Sequence, residues 1–396
     1  MNQNDIISNS FLHLKKYCEK EQFKGFDPFD GLNSPIFQSI PIVNKNKFAR
    51  LAWLQFFKRS PVNFRRIAGI KKEYNPKAIG LFLSAYVILE KSSPSDYNKK
   101  CISHFIDLLK ELRSEGYSGD CWGYNFDWQA KAFFQPKGTP TIVATSFIAN
   151  ALMDAYEILG TKELLESAVS SCRFILKDLN RAYDQNDDFA FSYSPIDHSV
   201  VYNASFLGAR LLIRVYKHTG DNELLKSSRS AINYCCKKQK NDGSWSYGNY
   251  QFHQWIDNFH TGYNLECLSD YHLYSGSNEF DSYLKKGFDF YINTFFKEDG
   301  TSKYYHDRLY PIDIHAPSQL IMTLSHLNKL EEFQTMASKV LIWTIDKMQA
   351  KNGSFIYQIN KWGKSPIAYM RWSQAWMFLA LTTFLHKNKI SNEYNR

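Results

Sequence analysis

Aspartate, histidine and asparagine recur close together at the start of an apolar segment of this chain. The stretch "HQWIDNFHTGYN" (253–264) places Asp257, His260 and Asn264 three and four residues apart. In a helix this spacing puts the three side chains on one face. A carboxylate beside an imidazole can hold it for proton transfer, so the segment is a candidate catalytic site.

Two further apolar segments repeat the arrangement. His315 and Gln319 are four residues apart. His198 and Tyr202 have the same spacing, and Asp197 precedes them. The aspartates could instead be simple helix N-caps, which would explain their positions without chemistry. The repetition in three segments favours a functional site.

An aromatic cluster, "CWGYNFDWQ" (121–129), holds a carboxylate, Asp127, between Tyr124 and Trp128. Aromatic rings beside an acid suit a sugar platform with a hydrogen-bonding group, although ordinary packing uses the same residues. Glu266 lies two turns beyond Asp257, and the sequence leaves open whether it reaches a cavity or pairs with a neighbouring helix.

The reaction type also stays open at the level of sequence. Glycoside hydrolysis needs two carboxylates about 5 to 10 Å apart, and Asp127 with Asp257 is the best pair, followed by Asp197. Lyase or epimerase chemistry needs a base and a group that neutralises a uronate. The candidate catalytic residues are Asp127, Asp197, Tyr202, Asp257, His260, His315 and Arg371. The candidate substrate-binding residues are Trp122, Tyr124, Trp128, Trp245, Trp255, Asn264, Gln319 and Trp372.

The chain lacks the motifs of common cofactor enzymes. It has no phosphate-binding glycine loop, dinucleotide fingerprint or nucleophile elbow, so we predict no cofactor. The His-x3-Asn spacing is not a zinc pattern, so we predict no metal.

A repeat of alternating segments positions these residues. Six segments are apolar on most faces and rich in small residues, which predicts buried inner helices. Amphipathic segments between them predict exposed outer helices, with 46–60 as the sixth. The predicted inner segments are 75–91, 139–160, 197–220, 257–276, 313–330 and 367–387.

Helical hairpins that cannot bury their inner face alone must stack on their neighbours. Six such hairpins that close on themselves form an all-α (α/α)6 toroid. Aromatic loops such as "DGSWSYG" (242–248) follow the outer segments, whereas the opposite connections are short. We therefore expect a cavity mouth at the long-loop end, in a single toroid domain of residues 45–396 with an N-terminal extension, residues 1–44, packed on it.

Two resemblances follow from these motifs. "AINYCCKKQKNDGSWSYG", with Gln239, Gly243 and Trp245, resembles the structural glutamine–tryptophan repeat of terpenoid cyclases, whose Asp-x-Asp-Asp acid motif is absent here. "GFDPFDGLNSPIF", "FKRSPVNFRRIAGI" and "WIDNFHTGYNLECL" resemble an uncharacterised toroid family found among bacterial surface-polysaccharide biosynthesis genes. The toroid is similar to six-hairpin glycosidases, uronyl hydrolases, epimerases and polysaccharide lyases. This resemblance implies a carbohydrate-linked role and assigns no catalytic residue.

The formal net charge of +9 is partly local, because nine basic residues and no acidic one lie within 45–72. Such a run can face an anionic ligand or a membrane surface, or be a solvated helix face. No nucleic-acid signature accompanies it, so no nucleic acid is expected. The chain begins without a signal-peptide pattern, has no apolar run that we judge long enough to span a bilayer, and has seven cysteines without metal-type spacing.

We therefore expect a cytoplasmic protein, with docking on the inner face of the membrane as an alternative. The favoured function is an enzyme of surface-polysaccharide biosynthesis that acts on a sugar or glycan as a hydrolase, lyase or epimerase. A non-catalytic glycan-binding or scaffold subunit is the second hypothesis. An isoprenoid-acting enzyme is the third, and it would need a mainly apolar cavity with an acid at its top. The oligomeric state is left open.

Overall fold

The computed structural model describes residues 2–131 and 133–394. Residues 1, 132, 395 and 396, which fall within the predicted domain ranges, lie outside the described residues. The helices are α1 (Gln3–Lys20), α2 (Pro35–Gln38), α3 (Pro41–Lys45), α4 (Lys47–Arg59), α5 (Pro76–Ser92), α6 (Asp96–Glu111), α7 (Ile142–Leu159), α8 (Lys162–Asp178), α9 (Tyr202–Thr219), α10 (Asn222–Cys236), α11 (Asn258–Ser275), α12 (Asp281–Phe295), α13 (His315–His326), α14 (Gln334–Met348) and α15 (Trp376–Tyr394).

Short strands lie in the loops between the helices and form small antiparallel sheets. Strand β1 pairs with β2, β3 pairs with β4, and β6 lies between β5 and β7. Two 3₁₀ helices, Asp30–Asn33 and Gln251–His253, and one π-helical segment, Met370–Ala375, complete the described elements. The strands are β1 (Trp128–Gln129), β2 (Phe134–Gln135), β3 (Arg181–Tyr183), β4 (Phe189–Phe191), β5 (Ile312–Asp313), β6 (Gln358–Asn360) and β7 (Gly363–Ser365).

Six inner helices form a closed ring. Each of α5, α7, α9, α11, α13 and α15 packs against the next, and α15 packs against α5. Side-chain caps such as those of Asn75, Thr141 and Asp257 start these helices at the long-loop end. Left-handed glycines, including Gly160 and Gly276, end them at the other end, where the connections are short. The predicted (α/α)6 toroid is confirmed.

The outer layer differs from the prediction at one helix. Helices α6, α8, α10, α12 and α14 pack outside the inner ring as expected, but α1 is the sixth outer helix and packs against α14 and α15. The predicted sixth outer helix, α4, instead packs against the 3₁₀ helix Asp30–Asn33 and against β1 at the long-loop end. The first residues of the chain are therefore part of the toroid wall rather than an extension.

Glutamines of the repeat fasten neighbouring hairpins together. Gln239 Nε2 donates to the carbonyl oxygens of Gly243 (3.0 Å) and Tyr283 (2.9 Å), which ties the turn after α10 to α12. Gln349 Nε2 donates in the same way to the carbonyl oxygens of Gly353 (3.0 Å) and Ser10 (3.0 Å), which ties α14 to α1. This second contact closes the outer layer across the chain's first and last hairpins.

One inner helix qualifies as a membrane span by length and composition alone. Helix α7 has a mean hydropathy of 1.3 over 18 residues, which differs from the sequence expectation that no apolar run is long enough. Of that window, 61% is buried inside the protein, where α7 packs between α5 and α9 in the ring. Its apolar faces are therefore accounted for by the toroid core.

The seven cysteines are all buried thiols, and none forms a disulfide in the described part of the chain. Cys235 and Cys236 are buried residues of α10, and burial raises the pKa of the Cys235 thiol to about 12. Such thiols are protonated and behave as small apolar side chains.

Candidate functional site

A cavity of about 440 Å³ opens at the long-loop end of the toroid. This volume lies in the usual range for small-molecule sites. The cavity has mainly aromatic walls and several basic groups. Its lining includes Phe29, Lys58, Lys77, Tyr124, Phe126, Trp128, Lys131, Tyr193, Ser199, Asn203, Tyr247, His253, Trp255, Phe259, His260, Tyr263, Tyr304, Tyr305, His315, Arg371 and Trp372.

His260 lines this cavity from the first turn of α11. Its Nδ1 lies 2.7 Å from a carboxylate oxygen of Asp257, whose other oxygen accepts the backbone N–H of His260 (2.9 Å). Asp257 is therefore both the N-cap of α11 and the group that orients the imidazole. Because Nδ1 is engaged, Nε2 is the nitrogen left to exchange a proton with a ligand. Tyr247 and Trp255 enclose the ring, with centroids 4.9 and 5.8 Å from that of His260.

His315 lies beside it at the start of α13. Its ring stacks on Phe259 at 4.3 Å between centroids, and the His260 ring lies 4.2 Å from the same Phe259 ring. Nε2 of His315 is 2.8 Å from the hydroxyl of Tyr263, whereas its buried Nδ1 has no partner among the described residues. Burial, with the nearby charge of Lys77, lowers the pKa of His315 well below its usual value, so the imidazole is neutral.

Arg371 enters the cavity from the π-helical segment before α15. Its Nε and one terminal nitrogen donate to the two carboxylate oxygens of Asp27, at 2.6 and 2.8 Å. The guanidinium carbon lies 5.0 Å from the Tyr124 ring centroid. π-helical turns often occur at functional sites. This one places Arg371 and Trp372 side by side in the cavity wall.

Each of three buried carboxylates stands behind a residue that lines the cavity. Asp257 holds His260 and Asp27 holds Arg371, as described above. Asp313 accepts the indole N–H of Trp372 at 2.9 Å, and burial raises the pKa of Asp313 to about 6. Among the described residues, none of those lining the cavity is Asp or Glu.

Several predicted site residues therefore line the cavity, and several do not. Asp257 lies behind His260. Asp127 accepts the backbone N–H of Lys137 (2.6 Å) outside the cavity, in the loop that carries β1 and β2. Asp197 accepts the backbone and hydroxyl groups of Ser194 and Ser199, and so fixes the loop before α9. The predicted residues that line the cavity are Tyr124, Trp128, Trp255, His260, His315, Arg371 and Trp372.

Tyr202 and two of the predicted tryptophans pack in the toroid instead. Trp122 donates its indole N–H to the carbonyl of Leu109 (2.8 Å), and Trp245 donates to that of Cys235 (3.0 Å). Both tie a loop to the outer helix before it, so neither ring is available to a sugar. Tyr202 is the first residue of α9, is 6% exposed and does not line the cavity.

Asn264 and Gln319 lie deeper in α11 and α13 than the histidines. Both are buried and neither lines the cavity. Gln319 donates to a carboxylate oxygen of Glu266 (2.5 Å), whose other oxygen accepts from Arg210 (3.1 Å). Of the two alternatives for Glu266, the structure shows pairing with neighbouring inner helices.

Sequence reasoning missed Lys77, Asp27 and Tyr263. Lys77 is in the first turn of α5, lines the cavity and is only 3% exposed. Burial lowers its pKa well below 10.5. The available signal was its position, since a polar residue at the start of an apolar inner helix is the same pattern that marked His260 and His315.

The basic run 45–72 is not one continuous surface patch. Arg65 is buried and donates to Asp30 at 2.6 Å, so it is a structural residue. Lys72 pairs with Glu21, and Lys58 lines the cavity from α4. The exposed members are Lys45, Lys47, Arg59, Arg66 and Lys71.

The described residues contain no group of three or more His, Cys, Asp or Glu side chains arranged to hold a metal ion. His260 and His315 are instead engaged by Asp257 and by the hydroxyl of Tyr263.

No known family model matches the sequence, and no curated protein matches it by sequence. Solved structures do match the fold. A cellobiose 2-epimerase from Bacillus thermoamylovorans superimposes with a TM-score of 0.61 at 11% identity, over 79% of this chain and 88% of its own. An unsaturated glucuronyl hydrolase specific for heparin gives 0.62 at 12% identity, over 98% of both chains. The GH76 α-mannanase from Bacteroides thetaiotaomicron gives 0.61 at 11% identity, over 80% of this chain and 88% of its own.

These similarities show a shared (α/α)6 toroid, and the resemblance to six-hairpin glycosidase-like toroids is confirmed at the level of fold. The structural neighbours are carbohydrate-active enzymes. At 11–12% identity the likeness assigns no reaction to this chain.

Proposed function

We propose that this protein is a carbohydrate-active enzyme that moves a proton on a sugar, in an epimerase- or isomerase-type reaction. The observation that carries the proposal is the histidine pair, His260 and His315, whose rings both contact the Phe259 ring inside the aromatic cavity. Such reactions remove a proton from a carbon next to a carbonyl and return it to the opposite face or to a neighbouring atom.

The two histidines suit complementary roles. His260 is held by Asp257 through Nδ1, which fixes its tautomer and leaves Nε2 to accept or return a proton. His315 is kept neutral by burial and has an unpartnered Nδ1. A neutral imidazole near a bound sugar is a competent general base at neutral pH.

Glycoside hydrolysis fits this cavity less well. It needs two carboxylates that flank the scissile bond, and the described cavity lining offers none. The predicted pair of Asp127 and Asp257 is engaged elsewhere, with a backbone N–H and with His260. An isoprenoid-acting enzyme lacks support for a related reason, since no acid lines the described cavity and its lining includes the basic residues Lys77 and His315. A lyase would share the base with an epimerase and differ in its products.

Aromatic walls support a sugar as the ligand. Tyr247 and Trp255 stack at 4.3 Å between centroids beside His260, and Trp128 and Trp372 provide further wall. Aromatic faces pack against the C–H faces of sugars while their polar atoms bind hydroxyls. The similarity to a cellobiose 2-epimerase and an α-mannanase further supports this ligand class.

The test is exchange of sugar C–H protons with solvent. The purified protein is incubated in D₂O with a panel of reducing mono- and disaccharides and acidic sugars, and ¹H NMR follows loss of the signal next to the carbonyl. We expect exchange and a new epimer or isomer. His260→Asn and His315→Asn should each lower the rate by about 10²- to 10⁴-fold, whereas His104→Asn on the exposed face of α6 should not.

The same experiment separates the alternatives. Sugar binding without exchange in the wild-type protein would favour the non-catalytic glycan-binding or scaffold function. Release of an unsaturated product would indicate a lyase. Exchange that persists in both histidine variants would refute the assignment of the site.

We further propose that the reaction belongs to bacterial surface-polysaccharide biosynthesis in the cytoplasm, with docking on the inner face of the membrane as an alternative. The resemblance of "GFDPFDGLNSPIF" and "WIDNFHTGYNLECL" to a family from such gene clusters supports this setting. A deletion strain complemented with wild-type protein or with Asp257→Asn, followed by glycan composition analysis and cell fractionation, tests it. An unchanged glycan in the deletion strain would refute it.

A further inference from the structure

The charged side chains that line the cavity are all of one sign. Its described basic residues are Lys58, Lys77, Lys131 and Arg371, and no described lining residue is acidic. Arg371 is neutralised by Asp27. Lys131 is exposed, so water screens its charge. Lys58 is half-buried with its Nζ 4.7 Å from the Phe29 ring centroid, and burial lowers its pKa while the charge of Asp313 opposes that shift. Lys77 is the buried lining cation that has no carboxylate partner in the described part of the chain.

The surroundings of Lys77 are aromatic. Its Nζ lies 4.0 Å from the ring centroid of Phe147, 5.3 Å from that of Trp376 and 5.5 Å from that of Tyr263. No carboxylate lies within 4.0 Å of it among the described residues. Ring faces attract a cation, but this attraction does not replace the hydration that a buried ammonium loses. The ammonium form of Lys77 thus lacks a counter-charge in the ligand-free protein, and a bound anion would supply one.

Unpartnered polar nitrogens share the cavity with Lys77. Nδ1 of His315 and Nδ2 of Asn203 are buried and have no hydrogen-bond partner among the described residues, and both residues line the cavity. Helices α5, α11 and α13 all begin at this end, so their partial positive N-terminal charges add to that of Lys77. A ligand rich in oxygen acceptors and carrying a negative charge would satisfy these groups together.

Helix α4, which contributes to the cavity lining, also carries positive charge. Helix α4 carries Lys58 into the lining, and Lys47 and Arg59 are exposed on the same helix. A cleft with basic walls raises the local concentration of anionic ligands and their rate of arrival. This gives part of the basic run 45–72 a role at the cavity.

We propose that Lys77 binds the anionic group of an acidic sugar, a carboxylate or a phosphate, so that this cavity takes sugar acids or sugar phosphates in preference to neutral sugars. The sugar class rests on the proposed function, whereas the preference for an anion rests on Lys77 and the charges around it. Tyr263 contacts both Lys77 and His315. An anion on Lys77 would therefore be bound beside the histidine pair.

Binding measured with matched pairs of sugars tests the proposal. The probes are glucose, glucuronate and glucose 6-phosphate, and the corresponding galactose and mannose sets. Each is titrated by calorimetry into wild-type protein, Lys77→Met, Lys77→Arg and the control Lys100→Met, whose lysine is exposed on α6 outside the cavity. We expect at least one anionic probe to bind about tenfold or more tightly than its neutral counterpart. Lys77→Met should abolish that preference, Lys77→Arg should restore part of it, and Lys100→Met should retain it.

If the sugar acids bind more tightly than the neutral sugars, the anion is a carboxylate, and if the sugar phosphates do, it is a phosphate. Equal binding of neutral and anionic probes, no binding of any anionic probe, or a preference that survives in Lys77→Met would overturn the proposal. Thermal unfolding of each variant checks that it folds. This test does not depend on catalysis. If the protein exchanged protons on a neutral sugar but bound anionic and neutral sugars equally, this inference would be refuted and the proposed function would be retained.

Discussion

Replacing Lys77 by methionine should make the ligand-free protein more stable. The side chain is 3% exposed, and its Nζ lies over the Phe147 ring at 4.0 Å without a carboxylate partner among the described residues. Methionine keeps an unbranched apolar stem of similar length and removes the charge. If Lys77 is present for a ligand rather than for the fold, its removal relieves a cost that the empty site carries.

The size of the effect follows from two opposing terms. Burying an ammonium costs several kcal/mol, and a desolvated cation–π contact returns about 2 kcal/mol. Water within the cavity recovers part of the remainder. We expect Lys77→Met to raise the free energy of unfolding by about 1–3 kcal/mol. For a chain of this length that corresponds to a rise in Tm of about 1–4 °C.

The gain should depend on pH in a defined direction. Burial lowers the pKa of Lys77 well below 10.5, so between the folded and unfolded pKa values the unfolded chain binds the proton and the folded protein does not. Wild-type stability attributable to this group therefore rises with pH through that window. The advantage of Lys77→Met is complete below the folded pKa and disappears as the pH approaches 10.5.

Urea unfolding at pH 7 and pH 10, followed by tryptophan fluorescence, measures both effects. Lys100→Met on the exposed face of α6 is the matched control and should change stability by no more than about 0.5 kcal/mol. If Lys77→Met instead loses about 2 kcal/mol or more, as truncation of a core residue does, Lys77 serves the fold. A gain that is equal at both pH values would show that its charge is not the cause.

Three further outcomes are expected. Asp27→Asn should destabilise the protein by about 3–5 kcal/mol in urea unfolding, because it leaves Arg371 buried without a counter-charge; a loss below about 1 kcal/mol would contradict the buried pair. Gly353→Ala should lower Tm more than Gly116→Ala. Both glycines have positive φ, but of the two new Cβ atoms only that at 353 would clash with a backbone oxygen, that of His13, at 2.3 Å. Equal losses of Tm would show that the turn at Gly353 does not pack closely against α1. Raising NaCl from about 0.05 to about 0.5 M should weaken binding of an anionic sugar and leave that of a neutral one unchanged, as measured by calorimetry; salt-independent binding would argue against the basic cleft.

The inner ring could be predicted from the sequence because its signal is local. The predicted segments 139–160 and 257–276 contain α7 and α11 almost residue for residue. The sixth outer helix could not be predicted in this way. Both α1 and α4 are amphipathic, and the choice between them depends on contacts such as Gln349 with Ser10, which are 339 residues apart.

Sequence reasoning found residues of the cavity lining at the starts of inner helices. The cavity is lined by His260 and His315, in the first turns of α11 and α13, and by Arg371, in the π-helical segment just before α15, because all the inner helices begin at the same end of the ring. Lys77 occupies the equivalent position on α5, but a lone lysine near a helix start resembles a solvated residue. Asp27 was missed because residues 1–44 were interpreted as an extension, whereas the ion pair with Arg371 links them to the cavity wall.

Of the acidic residues that the sequence marked as catalytic, Asp257 lies behind the cavity wall, together with two carboxylates that the sequence did not mark. Asp257 bonds to His260 and Asp313 bonds to Trp372, and Asp27, on a loop that sequence reasoning set aside, bonds to Arg371. Each carboxylate is buried, and none lines the cavity. Spacing along a helix predicts that two side chains share a face, but it does not tell which of them reaches the ligand and which holds the other.

This arrangement has a consequence for how the cavity is charged. Carboxylates placed behind the wall fix the imidazole, guanidinium and indole groups without presenting negative charge to a ligand. Among the described lining residues, Lys77 is then the buried amine that has no carboxylate partner. Under the two proposals, Asp257 holds His260 for proton transfer without adding negative charge to the cavity wall, which is what binding of an anion beside Lys77 requires.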